Sequence, residues 1–246
     1  VAWTTSGDGT FSSAGALNTL YTPGLADRTT GAVQLILTVN GKNTCALFQN
    51  RDTLVAHFDK LPSIEAGTDQ SVCASTTEVM LHATSQNTTT VSWLSTGFGS
   101  FSPANSTVST YHIASVDTTL SVVYLKIRAV GAGQCILKEA NDSLALRFSP
   151  LPEAIAGNDT TVCNGSSIQL HGSGLHTQGY LWSSLGDGTF NSNSSASATY
   201  TPGLNDRSVG HVKLVLTAFG EGLCSTAVDK DTLNLDIKPL PTAILS

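Results

Sequence analysis

Charged side chains are scarce in this sequence: Asp, Glu, Lys and Arg make up 12% of its 246 residues, and the formal net charge is −6 with no cluster of Lys or Arg. A chain without a basic footprint has nothing to grip DNA, RNA or anionic lipid, so nucleic acid and the membrane surface are excluded as partners. Long apolar runs are missing too. Stretches such as Val33 to Val39 are broken by polar residues and are far too short to span a bilayer. No segment resembles a signal peptide, and the chain opens on Val1, as expected of a mature or excised piece of something longer. The sequence has no Gly-x-Ser-x-Gly elbow, no phosphate-cradling loop and no carboxylate pair assignable to one cleft. No Cys or His lies two to four residues from another Cys, which argues against a zinc site. No catalysis, cofactor or metal is expected.

Polarity must therefore come largely from Ser, Thr, Asn and Gly, and Thr favours strands over helices. The dominant signal is repetition. Trp3-x7-Phe11, Trp93-x7-Phe101 and Trp182-x7-Phe190 are offset by 90 and then 89 residues. Tyr21, Tyr111 and Tyr200 keep the same offsets, as do Asp27, Asp117 and Asp206, then Cys45, Cys135 and Cys224. Leu61-Pro62, Leu151-Pro152 and Leu240-Pro241 mark where one copy closes and the next opens. The expected division is 1–61, a partial repeat; 62–151 and 152–241, two full repeats; and 242–246, the start of another.

Within each copy apolar residues alternate, as at Val33, Leu35, Leu37 and Val39 against Val123, Leu125, Ile127 and Ala129 and against Val212, Leu214, Leu216 and Ala218. Period two marks a half-buried strand. Leu54, Ala56 and Phe58, with Leu144, Leu146 and Phe148 and then Leu233, Leu235 and Ile237, trace a closing strand. Roughly seven short strands separated by turns, with no helical period, predict an all-β protein of tandem immunoglobulin-like sandwiches. Trp93 and Trp182 would anchor the cores. The first copy starts at its third strand, so its core is expected to lie uncovered unless about 30 further residues precede it in the natural protein, a length set by two strands and their turns.

Five cysteines divide as two per full copy plus one. Pairing within copies gives Cys73–Cys135 and Cys163–Cys224 and leaves Cys45 without a partner. A rival, Cys45–Cys73 with Cys135–Cys163, also respects the period. The last strand, on the order of 30 Å long at 3.3 Å per residue, separates Cys135 from the next copy, whereas bonded Cα atoms lie within about 7 Å, which favours pairing within copies. Paired cysteines in small repeating domains imply an oxidising, extracellular setting.

Ser6-Gly7-Asp8-Gly9-Thr10-Phe11 recurs at Leu185-Gly186-Asp187-Gly188-Thr189-Phe190. Asp-Gly suits the positive φ angles of a tight hairpin better than it suits calcium, and the middle copy has Gly97-Phe98-Gly99 there, making Phe98 either a contact residue or a loop aromatic folded onto its own sandwich. Asp69 and Asp159 follow the linkers, but no second carboxylate is near either in sequence, and calcium needs six to eight oxygens. His82 and His171 occupy equivalent surface or satisfied positions. Asp52-Thr53-Leu54, Asp142-Ser143-Leu144 and Asp231-Thr232-Leu233 read as Asx turns that start a strand.

Leu-Pro-x-Ala-x-Ala-Gly-x-Asp-x-x-Val-Cys, Trp-x7-Phe, Tyr-Thr-Pro-Gly and the Cys before the final strand together resemble the PKD-like repeats of giant Bacteroidetes surface proteins, the SprB-type gliding-motility adhesins. The resemblance covers essentially the whole chain, apart from Tyr111-His112-Ile113-Ala114 in place of Tyr-Thr-Pro-Gly. It implies type IX secretion, anchorage at the outer membrane, and a surface filament that grips surfaces or polysaccharide. It also implies O-glycosylation at Asp-Ser/Thr triplets, with Thr53, Ser143, Thr232, Thr118 and Thr160 as candidates. Neighbouring repeats of the same chain are the expected partners. The competing reading is a carbohydrate-binding or spacer module of a secreted multidomain enzyme.

Overall fold

In a computed structural model, which describes residues 1–241, the chain is nearly all β and forms tandem immunoglobulin-like sandwiches. Residues 242–246, where a further repeat was expected to start, lie outside the described residues. In the middle copy one sheet runs Thr88–Ser95, Val122–Gly131, Glu139–Ser149, Gln70–Cys73, and the facing sheet runs Ser100–Ser102, Val108–His112, Glu78–His82. Gln70–Cys73 joins the last strand in parallel, Leu146 opposite Gln70 and Ser149 opposite Cys73. The third copy repeats the plan, with Thr160–Cys163 parallel to Val228–Lys238 and Cys163 opposite Lys238. Its second sheet is Ile168–His171, Ser197–Thr201, Thr189–Phe190.

The alternating residues fill these sandwiches. Leu81, Trp93, Tyr111, Leu125, Ile127 and Leu146 pack the middle core, and Leu170, Trp182, Tyr200, Leu214, Leu216 and Leu235 pack the third. Each Trp also donates its indole N–H, Trp93 Nε1 to Ser106 O at 2.9 Å and Trp182 Nε1 to Ala196 O at 3.1 Å. Trp182→Ala removes a fully buried ring and this bond, so the third sandwich is expected to lose about 3–5 kcal/mol, read from its denaturant midpoint. Trp3, half-buried, should cost less in the same assay.

The first copy holds only Ala2–Thr5, Ala32–Asn40 and Gln49–His57 in one sheet and Thr10–Phe11 with Tyr21–Thr22 in another. Its apolar face is open: Leu54 is 58% exposed, whereas the matching Leu144 and Leu233 are 1% and 4%.

Two short helices interrupt the strands, Leu25–Thr30 and Leu204–Val209, where periodicity indicated none. They correct the reading of the Asp-Gly motif. Neither Gly9 nor Gly188 is among the positive-φ glycines. Instead a Cβ on Gly188 would run into the Tyr200 ring and the Thr201 carbonyl, so glycine is needed for close approach. The neighbouring aspartate caps the helix: Asp8 accepts from Ala26 N and Asp27 N, and Asp187 from Asn205 N and Asp206 N. In the middle copy Phe98 replaces that aspartate, and the segment contracts to a 3-10 turn at Asp117–Thr119.

Candidate functional site: the junction between sandwiches

The cysteines lie where successive copies meet. Cys73 is bonded to Cys224, with Cα atoms 4.9 Å apart, so the disulfide joins the middle sandwich to the third. This replaces both expected bonds, Cys73–Cys135 and Cys163–Cys224; Cys163 and Cys135, like Cys45, are free. The reason is the parallel pairing. Cys73 stands beside Ser149 at the far end of Glu139–Ser149, whereas Cys135 precedes the near end of that strand. Eleven residues at about 3.3 Å each separate the two poles, so the strand length that keeps Cys135 from the next copy also keeps it from Cys73 in its own.

A 3-10 turn in the second and in the third copy reaches back to the copy before it. Gly222–Cys224 brings Cys224 Sγ to Ser149 O at 3.3 Å, and that carbonyl also accepts Ala74 N at 2.9 Å. At the preceding junction Gly133–Cys135 places Gln134 N on Asp59 Oδ2 at 2.7 Å and Cys135 Sγ on Asp59 O at 3.5 Å. Asn87 Nδ2 adds a bond to Leu61 O at 3.1 Å. Asn43, Gly133 and Gly222, which open the three turns, have φ of 54°, 57° and 55°, so the turn is one conserved conformation within the chain.

Carboxylates then pin the strand that follows each linker onto its own sandwich. Asp142 Oδ2 accepts Ala66 N at 2.7 Å, Asp231 Oδ2 accepts Ala156 N at 2.8 Å and Asp229 Oδ2 accepts Ala154 N at 2.9 Å. Asp69 Oδ1 takes Ala145 N at 2.9 Å, and Asp159 takes Asn234 N and Nδ2. The aspartates considered for calcium are thus turned onto backbone amides. The Asp-Thr-Leu triplets are not Asx turns starting a strand: Asp52, Asp142 and Asp231 lie inside Gln49–His57, Glu139–Ser149 and Val228–Lys238, where Asp231 Oδ1 accepts only the adjacent Thr232 N at 2.8 Å and its Oδ2 reaches a residue 75 positions away.

The triplet hydroxyls face outward. Thr53, Ser143 and Thr232 are exposed in the middle of their strands, whereas Thr118 and Thr160 are half-buried, Thr118 Oγ1 donating to Ser115 O at 2.9 Å. His82 and His171 are exposed at strand ends, and Phe98 is 72% exposed. Among the described residues no group of three His, Cys, Asp or Glu is placed to share a metal ion, and no helix is long and apolar enough to cross a membrane.

Amide donors hold two carboxyls below the ordinary carboxylate range: Asn234 acts on Asp159, and the Asn205 and Asp206 N–H groups act on Asp187. A depressed folded pKa stabilises above the unfolded value of about 3.9, and that stability is lost as pH falls through the folded value. The chain is therefore expected to keep its stability down to about pH 4 and to lose it progressively below. Asp187→Asn should flatten that acid limb in calorimetry.

No family model and no curated protein matches the chain. Solved structures do resemble it. Mouse cadherin-23 EC22-24 matches at 12% identity and TM-score 0.49, over 97% of this chain and 86% of that one. Protocadherin gamma B7 extracellular cadherin domains 1-4 match at 12% and 0.46, over 97% and 67%. The I9-I11 tandem of titin matches at 11% and 0.32, over 85% and 74%. The fold assignment rests on the sheets themselves.

Proposed function

We propose that the chain is a structural stretch of a bacterial cell-surface adhesin filament, exported by type IX secretion, anchored at the outer membrane, and used for gliding motility and adhesion to surfaces or polysaccharide. In this reading 1–61 is an incomplete repeat and 62–151 and 152–241 are complete ones. The observation that carries the mechanical part is the Cys73–Cys224 bond across the junction, because tension passing from one sandwich to the next travels through a covalent staple rather than through the linker alone. Repetition, the Pro-containing linkers and the docked turns support the same role, since a rod needs many equal, stiff, nearest-neighbour contacts. The cell-surface and motility parts rest on the sequence resemblance. Thr53, Ser143 and Thr232 stand free for O-linked glycans, and an intact mass above that of the bare sequence, from a native host, is the expected sign.

The alternative, a carbohydrate-binding or spacer module of a secreted enzyme, predicts saturable sugar binding by one sandwich. A glycan array with the isolated third repeat is expected to stay silent if the segment is a stalk. Saturable binding there would favour the module.

A further inference from the structure

Cys163 occupies in the third sandwich the place that Cys73 occupies in the second: each ends a short strand lying parallel to the last strand of its copy. Cys73 is 8% exposed and bonded, whereas Cys163 is exposed and free. What differs is the cover. The Gly222–Cys224 turn packs over the end of the Cys73 strand, and among the described residues nothing equivalent packs over Cys163. The matching carbonyl, Lys238 O, accepts Asn164 N at 2.8 Å, as Ser149 O accepts Ala74 N, but has no cysteine sulfur beside it among the described residues, whereas Cys224 Sγ lies 3.3 Å from Ser149 O.

The complementary half is also present. Of the three turns of this type, the one with Cys224 is buried and bonded, and the one with Cys135 already rests on Asp59. The Asn43–Cys45 turn has the same opening φ, and its cysteine is exposed and free. We infer that Cys163 is a covalent docking site for the cysteine turn of a further copy of this repeat, whichever chain supplies it; the Cys45 turn of a second copy of this chain is one such turn, and docking it joins chains head to tail. The inference rests on the junction geometry and not on the adhesive role.

Bond formation removes two protons and two electrons from two thiols. A small-molecule disulfide such as oxidised glutathione accepts the electrons: the Cys163 thiolate attacks it and expels one glutathione thiolate, then Cys45 of the second copy displaces the other. The products are one protein disulfide and two reduced glutathiones.

The test incubates the intact chain in a glutathione redox buffer, followed by a non-reducing gel and peptide mapping. A ladder of multimers containing a Cys45–Cys163 peptide is expected, abolished by Cys163→Ser or Cys45→Ser and unchanged by Cys135→Ser. The Cys73–Cys224 peptide, retained in every variant, reports that the junction is intact. The inference is overturned if Cys45–Cys45, Cys163–Cys163 and mixed links form in statistical proportion, or if both thiols end as glutathione adducts without a ladder.

Discussion

Pulled by its two ends, the oxidised chain is expected to conceal roughly 500 Å of contour length that appears only after reduction. The Cys73–Cys224 bond carries tension directly from the middle sandwich to the third and encloses the residues between them, a separation of 151 positions. Only the segments outside the staple can lengthen. At about 3.3–3.6 Å per extended residue the enclosed part accounts for the missing length. Single-molecule force spectroscopy with and without reductant checks this, and Cys224→Ser should release the length without reductant. Bonds within copies would behave differently, since residues 136–162 between them would extend and add about 90 Å even under oxidising conditions. A filament that bears shear at a surface benefits from the first arrangement, because a sandwich that opens transiently cannot be drawn out.

The second large effect is expected at Asp206. Its carboxylate is 2% exposed and accepts from Tyr200 OH at 2.6 Å, Gly188 N and Gly203 N at 3.1 Å and Asp187 N at 3.2 Å. Asp206→Ala leaves these donors without their acceptor in the interior, at about 1–3 kcal/mol for each that water cannot reach. The third sandwich is therefore expected to lose on the order of 4 kcal/mol or more, a large part of the usual stability of a domain. Denaturant unfolding followed on that repeat measures it. Burial, and then the bond to Asp206, push the Tyr200 phenol up to about 12. A raised folded pKa stabilises below the unfolded value of about 10 and is lost as pH rises through the folded one. Asp206→Asn should thus bring the Tyr200 phenol down in an ultraviolet titration. Asp117, with Tyr111 OH at 2.7 Å and Phe98 N at 2.6 Å, predicts the same for the middle copy.

Much of this architecture was legible because burial imposes its period on the sequence. Leu125, Ile127 and Ala129 had to alternate to face one core, and the Trp, Tyr and Asp positions had to keep their offsets because each copy builds the same hub. The disulfide was not legible. Spacing places Cys73 early in its copy and Cys135 late, but only the parallel pairing of Gln70–Cys73 with the last strand puts them at opposite poles. An offset common to all copies cannot distinguish a bond within a copy from one that reaches the next. The role of Asp8 and Asp187 was hidden for a related reason: the turn chemistry of Asp-Gly is local, whereas the amides they cap lie 18 or 19 residues on. The middle copy did hold a clue, since it lost both the aspartate and Tyr-Thr-Pro-Gly together.

A covalent bond crosses the junction between the middle and third sandwiches. Digestion of the oxidised chain under non-reducing conditions, with thiols blocked beforehand, tests it most directly. A peptide pair joining Cys73 to Cys224, with Cys135 carrying the blocking group, is the predicted result. Pairs joining Cys73 to Cys135 and Cys163 to Cys224 would contradict it.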